Sequence, residues 1–141
     1  MKIEDATRIV IKIGSSLLFN EETNKLNFDW LVSLAEDVKY LKNLNKEVII
    51  VSSGAIALGA KDLNINMKEM KLDVNQAVSA VGQIHLMSSF KSAFEKNEFK
   101  VSQILLTLDD TEQRRRSINA RRTIDTILKL GIIPVVNEND T

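Results

Sequence analysis

The segment Glu47–Ser52 reads EVIIVS, and residues 132–137 read IIPVVN. Both are nearly continuous apolar runs rather than alternating ones, and such runs are typical of strands that are covered on both faces in a parallel sheet. Two further runs rich in β-branched residues, Arg8–Ile13 (RIVIKI) and residues 100–106 (KVSQILL), predict two more strands. The sequence therefore predicts four strands of one mainly parallel sheet.

Helical patterns lie between these runs, with apolar residues repeating at intervals of three and four. The first begins at Phe28, after Asn27 as the predicted N-cap, and the third is expected to stop at Gly131 in the C′ position. The second ends near Phe94, and its apolar stripe consists of Val74, Ala77, Val78, Val81 and His85. This alternation predicts an α/β fold, a three-layer sandwich whose ligand crevice lies at the carboxyl ends of the strands.

Pro134 lies inside the last apolar run. Proline has no backbone N–H and removes one donor from a strand ladder. The fourth strand is therefore expected to be short, bulged or near an edge of the sheet.

The composition limits the class of protein. The 141 residues suffice for one domain, and the 44% that are hydrophobic suffice for a core. Basic and acidic side chains number 19 each, so the net charge of zero gives no general reason to bind nucleic acid or an anionic membrane. The lack of cysteine excludes disulfides and thiolate metal sites. An acidic start and no apolar run near 20 residues predict a soluble, cytoplasmic protein.

Two of the predicted strands end in loops of small residues, at residues 12–16 (KIGSS) and residues 52–55 (SSGA). Glycine lets backbone N–H groups approach an anion closely, and a following helix N-terminus favours negative charge. The two loops therefore suit two anionic partners that meet at one sheet edge, although two ordinary strand-to-helix turns are the alternative. The glycine spacing matches neither the P-loop nor the dinucleotide fingerprint.

Lys12 interrupts an otherwise apolar strand. A lysine in that position either reaches solvent from an edge strand or is held there for a purpose. As a point charge at the end of the strand, it suits the stabilisation of a transferring phosphoryl group. Both readings stay open on residue type alone.

Residues 137–140 (NEND) follow the fourth apolar run. At the carboxyl end of a strand, these four hydrogen-bonding side chains suit the ammonium and carboxylate groups of a small polar substrate. An Asx-turn followed by a helix cap is the alternative.

Other charged residues carry weaker signals. The arginines in residues 114–116, together with Arg121 and Arg122, favour a solvated helix face over RNA binding, because nearby acids offset their charge. His85 is the only histidine in the chain, so no metal site is expected there.

Six segments, taken in their order and spacing, resemble the amino acid kinase family and cover residues 9–141: IVIKIGSSLL, VIIVSSGAIALG, QAVSAVGQ, SQILLT, INARRTI and LGIIPVVNENDT. The K-x-G-S start and the S-G-A loop are shared across that family. The segment QAVSAVGQ, the NAR stretch and the NENDT ending resemble its glutamate 5-kinase branch.

The resemblance implies a kinase that uses Mg²⁺-ATP and L-glutamate to make L-glutamyl 5-phosphate, the first step of proline synthesis. It assigns Lys12 to the ATP phosphates and to the transition state, with Gly14 and Ser15 also in the ATP-binding loop. It assigns Ser53 and the amide of Gly54 to glutamate.

The same resemblance places Asp140 on glutamate, through its ammonium group, with Asn137 as a neighbour in the substrate site. No metal-ligating residue is implied, since Mg²⁺ arrives with the nucleotide. Family members usually form homo-oligomers, so assembly of this kind is expected.

Residues 1–141 are expected to form the N-terminal, substrate-binding part of an amino acid kinase domain, without its C-terminal nucleotide-binding half. Three alternatives remain: a sister enzyme such as acetylglutamate kinase, a truncated, non-catalytic glutamate-binding fragment, and a nucleic-acid-binding role for the arginines.

Overall fold

The computed structural model of the protein describes residues 2–20, 22–23, 25–66, 68, 71–106 and 114–138. Its strands are β1 (Arg8–Ile13), β2 (Phe19–Asn20), β3 (Lys25–Leu26), β4 (Glu47–Ser52), β5 (Val101–Leu106) and β6 (Ile133–Glu138). A short 3-10 helix, Ile3–Asp5, precedes the helices α1 (Ser15–Leu18), α2 (Phe28–Asn43), α3 (Ala55–Leu63), α4 (Leu72–Glu95) and α5 (Arg114–Lys129).

Four strands form one parallel sheet in the order β1-β4-β6-β5, and β2 and β3 form a separate antiparallel pair. The four strands that the apolar runs predict are therefore confirmed, within one residue at their ends. The continuous apolar run of β4 has the predicted cause, because its residues are buried alternately on the two faces of the sheet.

Helices cover both faces of the sheet and make the predicted three layers. The face packed against α2, α3 and α4, called here the α4 face, carries a large buried cluster that includes Ile50, Phe90 and Val135. The opposite α5 face carries a smaller cluster of buried residues, Ile49, Ile104, Leu128 and Val136.

An ion-pair network joins α5 to the edge of the sheet. The guanidinium of Arg8 donates to the carboxylates of Asp125, at 3.0 Å, and Glu47, at 3.1 Å. The hydrogen bond with Asp125 is the main cause that raises the pKa of Arg8; burial opposes the rise, and Glu47 adds to it. These side chains are about two-fifths exposed, so the pairs contribute little to stability.

The expectation that Pro134 makes the fourth strand short or bulged is wrong, and the strand lies next to the edge strand β5. The strand β6 is as long as its neighbours and lies between β4 and β5, with an unbroken register to β5 from Ile133 onwards. Pairing with β4 begins only at Val135. Pro134 thus stands at the start of the strand and outside the β4 ladder, where its missing N–H costs no sheet hydrogen bond.

The predicted helix ends at Asn27 and Gly131 are found, although the Asn27 side chain does not have the expected role. Asn27 occupies the N-cap position of α2, but its side chain makes no capping hydrogen bond and instead donates to the carbonyl of Leu17 at 2.8 Å. Gly131 ends α5 as predicted, with a φ of 75° and an N–H that donates to the carbonyl of Leu128. In the described part of the chain, no helix is both long and apolar enough to cross a bilayer.

Two helices, rather than the one predicted, lie between β4 and β5. Helix α3 was not predicted, and the expected apolar stripe of α4 is wrong. Of its members only Val78 is buried, whereas Val74, Ala77 and His85 are exposed. The buried side of α4 instead carries Val78, Ser79, Gly82, Gln83, Leu86, Phe90, Ala93 and Phe94.

Two glycines explain which side of α4 is buried. A Cβ added at Gly82 would lie 1.6 Å from the carbonyl oxygen of Ala55, and one added at Gly59 would lie 1.9 Å from that of Val78. The backbones of α3 and α4 are therefore in direct contact, which only glycine permits at these positions. This crossing fixes α4 relative to the start of α3, which begins directly after the Ser53-Gly54 loop.

Candidate functional site

The carboxyl ends of the parallel strands bring the sequence-predicted residues to one edge. The register pairs Ile13 with Ser52, Ser52 with Asn137, and Asn137 with Leu105. Ser52 and Asn137 lie on the α4 face, and both are buried, at 0% and 3% exposure. The chain leaves β1 and β4 directly beyond this row, so both glycine loops lie at the edge where a ligand crevice was predicted.

The two glycine loops are in contact with each other. The N–H of Ser53 donates to the carbonyl of Ile13 at 3.4 Å. Gly54 has a φ of 139°, a backbone conformation that strongly favours glycine. A Cβ at Gly54 would lie 3.4 Å from Leu18 and 3.8 Å from Cα and Cβ of Ser15. The positive φ therefore favours glycine at this position, whereas an added Cβ would make contacts of ordinary van der Waals length with the neighbouring loop.

Gly14 and Ser15 are exposed at this edge. Gly14 has an ordinary φ of −77°, and a Cβ added there would meet nothing nearer than 4.0 Å. Neither the backbone conformation nor packing within the described residues therefore requires glycine at this position. What glycine does provide is an uncovered backbone to which an anion has access.

Lys12 lies on the opposite face from Ser52 and Asn137. It alternates with Ile11 and Ile13, which pack on the α4 face, and it is in register with Val51 on the α5 face. The strand β1 is an edge of the described sheet, and the Lys12 side chain is exposed. Its position at the penultimate residue of β1 agrees with both readings of Lys12.

Asn137 is tied to helix α4 by its side chain. Its Nδ2 donates to Oε1 of Gln83, which is 9% exposed. The other two polar atoms of this amide pair, Asn137 Oδ1 and Gln83 Nε2, are buried and have no partner among the described residues. One buried acceptor and one buried donor at this edge therefore remain unpaired within the described part of the chain.

Gln83 is the residue that sequence reasoning missed. It belongs to the QAVSAVGQ segment, which carries the family resemblance but was given no role. The available signal was Gly82, because a glycine in the middle of a helix destabilises it unless a close approach requires glycine there. Asp140 and Asn139, the other polar residues of the predicted substrate cluster, lie outside the described residues.

The charged residues with weaker signals lie at exposed helix positions. Arg115, Arg121 and Arg122 are exposed on α5. His85 is exposed on α4 with its Nε2 3.4 Å from a carboxylate oxygen of Asp62. No group of three or more potential metal ligands from His, Cys, Asp and Glu occurs in the described ranges.

Taken together, the edge offers two small-residue loops, an exposed lysine and a partly unpaired amide pair. Backbone N–H groups and a lysine suit phosphate oxygens, whereas amides and hydroxyls suit the polar groups of a small molecule. The chemistry of the edge thus suits two different polar ligands.

Comparison with known proteins bears directly on this site. The sequence pattern of the Amino acid kinase family matches residues 7–141. The chain is 55% identical over 141 residues to a protein of Pelagibacter ubique (strain HTCC1062) named glutamate 5-kinase. It is 48% identical over 139 residues to a protein of the same name from Ruegeria sp. (strain TM1040). Each alignment covers 99% or more of this chain but only 38% of the relative's length.

Solved structures share the fold at low identity. An isopentenyl phosphate kinase matches 94% of this chain and 59% of its own with a TM-score of 0.63 and 15% identity. The UMP kinase from Bacillus anthracis matches 92% of this chain and 52% of its own with a TM-score of 0.59 and 17% identity. The predicted fold and the family resemblance are both confirmed.

Proposed function

Because the chain belongs to the Amino acid kinase family, we propose that these residues are part of a glutamate 5-kinase. The reaction transfers the γ-phosphoryl group of ATP to the side-chain carboxylate of L-glutamate and gives L-glutamyl 5-phosphate and ADP, the first step of proline biosynthesis. The observation that carries this proposal is the pair of contacting glycine loops, in a chain 55% and 48% identical to proteins named glutamate 5-kinase.

The phosphate side of the site consists of Lys12, Gly14 and Ser15. The exposed lysine ends an edge strand, and the exposed backbone of the following loop has no side chain at Gly14 to hinder an anion. Lys12 binds the phosphates and neutralises charge that spreads over the phosphoryl oxygens in the transition state. The nucleotide's own Mg²⁺ lowers the remaining repulsion between the two anionic substrates.

The glutamate side consists of Ser53, Gly54, Asn137 and Asp140. The hydroxyl of Ser53 and the amide of Gly54 donate to a glutamate carboxylate, and the Asp140 carboxylate accepts from the ammonium group. Support comes from Gly54, whose positive φ directs the loop against Ser15 and so brings the glutamate loop beside the phosphate loop.

The chemistry needs no general base. The glutamate side chain is a carboxylate near neutral pH, so its oxygen is already a nucleophile. That oxygen forms the new bond to the γ-phosphorus while the bond to the β,γ-bridging oxygen breaks, and ADP leaves with the electron pair. Catalysis by this chain therefore rests on positioning and on charge neutralisation.

Two further features belong to the same proposal. We expect the enzyme to act in the cytoplasm, where its substrates are found, and to assemble as a homo-oligomer. The chain spans 38% of the length of the two glutamate 5-kinases compared with it above. The experiment must therefore use the full-length protein that contains these residues.

The test is to identify the product. The full-length protein is incubated with Mg²⁺-ATP, hydroxylamine and either L-glutamate or N-acetyl-L-glutamate, because an acyl phosphate reacts with hydroxylamine to give a hydroxamate. We expect γ-glutamyl hydroxamate with glutamate and no hydroxamate above background with the acetylated compound. Preference for N-acetylglutamate would instead identify a sister kinase, and no hydroxamate from either would refute the proposal.

A further inference from the structure

The direction of the hydrogen bond between Gln83 and Asn137 determines which atoms of the two side-chain amides remain unpaired. Asn137 Nδ2 donates to Gln83 Oε1 between α4 and the carboxyl end of β6. An amide has one donor group and one acceptor. Since Gln83 engages the donor side of Asn137, the Asn137 oxygen is the atom left to interact with a third group, and it has none among the described residues.

The unpaired atoms argue against a purely packing role. Buried polar atoms without partners destabilise a protein, and two apolar side chains of similar shape would avoid that loss. The available acceptor, Asn137 Oδ1, is complementary to an ammonium donor. L-Glutamate carries such a donor in its ammonium group.

Gln83 is also held rigidly in place. It follows Gly82, whose Cα faces the backbone of α3 so closely that an added Cβ would lie 2.7 Å from the backbone nitrogen of Gly59. The start of α3 continues from the Ser53-Gly54 loop. The same helix crossing therefore fixes the position of the loop and the position of the Gln83 amide.

We propose that Gln83 is a positioning residue of the glutamate site. Its Oε1 orients the Asn137 amide so that Oδ1 faces the ammonium group of the substrate. The inference rests on the proposed function and adds to it a residue on α4, 54 positions away from Asn137 in the sequence. Lys12 lies on the other face of the sheet, so its role does not depend on this pair.

The test is steady-state kinetics of the full-length enzyme with Gln83→Met, which keeps the length of the side chain but removes its amide. We expect the KM for glutamate to rise about tenfold, the loss of one hydrogen bond near a charged group. The KM for ATP should stay within about twofold of wild type. In an Asn137→Ala background, Gln83→Met should cause no further rise, because Gln83 acts through Asn137.

Two other variants make the result decisive. Gln76→Met changes the same residue type at an exposed position of the same helix, and it should leave all constants at wild-type values. If Gln83→Met does not fold, Gln83→Asn takes its place. This variant keeps the amide but shortens the side chain by one methylene, which moves the amide away from Asn137, and the same criteria apply to it. An unchanged glutamate KM, equal changes in both substrate constants, or the same effect without Asn137 would overturn the inference. A wild-type enzyme that does not phosphorylate glutamate would refute the proposed function and this inference together.

Discussion

The α4 face of the sheet and the α5 face differ in how closely their helices cover them. On the α4 face, the backbones of α3 and α4 are in contact at Gly59 and Gly82, and Phe90 and Phe94 of α4 are fully buried. On the α5 face, the cluster around Leu128 is small, and Val10 and Lys12 of β1 are exposed. The proposed site takes its glutamate-binding amide from the first face and its phosphate-binding lysine from the second.

This difference indicates that the two faces of the sheet contribute different properties to the proposed site. Recognition of a small substrate needs groups that are held still, and the tight crossing of α3 and α4 supplies them. A lysine that stays in contact with a phosphoryl group during its transfer needs a flexible side chain that ligands can approach. An exposed edge strand provides such a position. Variants on the two faces should therefore affect different properties of the protein.

The largest effect is expected from Lys12→Ala in the full-length enzyme. Loss of a single electrostatic contributor should lower kcat by about 10²–10⁴. Because the side chain is exposed, the melting temperature should hardly change. Lys39→Ala, at an exposed position of α2, is the matched control and should leave kcat intact. A kcat near wild type in Lys12→Ala would remove Lys12 from the mechanism.

Gly82→Ala should be the most destabilising of the small substitutions. The added methyl group would overlap the carbonyl of Ala55, and overpacking of this kind costs about 3 kcal/mol or more. The gain in helix propensity, about 1 kcal/mol, is too small to compensate. Urea denaturation measures the change.

Gly14→Ala is the control for this comparison, because its added Cβ would meet nothing within ordinary contact distance. Its free energy of unfolding should stay near that of wild type. Equal stability of Gly82→Ala and wild type would show that the two helices do not touch at their backbones.

Leu86→Ala and Leu128→Ala compare the two faces with the same chemical change. Leu86 is fully buried on the α4 face, whereas Leu128 is 6% exposed in the smaller cluster. The measured range for such substitutions is about 2–5 kcal/mol, and it depends on how well the site collapses. We expect Leu86→Ala near the upper end and Leu128→Ala near the lower. The reverse order would contradict the comparison of the faces.

The sequence indicates the parts of this fold that local patterns determine. The burial of β4 on two faces and the stop at Gly131 follow from residue type alone. The stripe of α4 does not, because the helix buries small and polar residues such as Ser79 and Gln83 against other elements. Hydrophobic periodicity cannot detect a buried side on which serine, glycine and glutamine occupy positions between the apolar residues.

The residues of the candidate site also differ in how well the sequence predicts their positions. Ser53, Gly54 and Asn137 could be placed at the sheet edge because each directly follows or ends a strand. The partner of Asn137 could not be predicted, because Gln83 comes from a helix far away in sequence and the contact depends on tertiary packing. The position of Pro134 was likewise decided by where the β4 pairing begins, at Val135.

The smallest effect is expected from Arg8→Ala. It removes two ion pairs of exposed side chains and should lower the free energy of unfolding by about 0.2–1 kcal/mol. At about 1 M salt the difference from wild type should shrink, since screening weakens exposed pairs. A loss of more than about 2 kcal/mol would mean that α5 depends on this network rather than on its apolar cluster.

The central claim is that the glutamate-binding and phosphate-binding groups act from different loops. Calorimetric titration of L-glutamate into the nucleotide-free, full-length enzyme tests it most directly, with wild type, Ser53→Ala and Lys12→Ala compared. Lys12→Ala should bind glutamate with wild-type affinity, whereas Ser53→Ala should bind it about tenfold more weakly. Loss of glutamate binding in Lys12→Ala, or its full retention in Ser53→Ala, would show that the two loops do not have these separate roles.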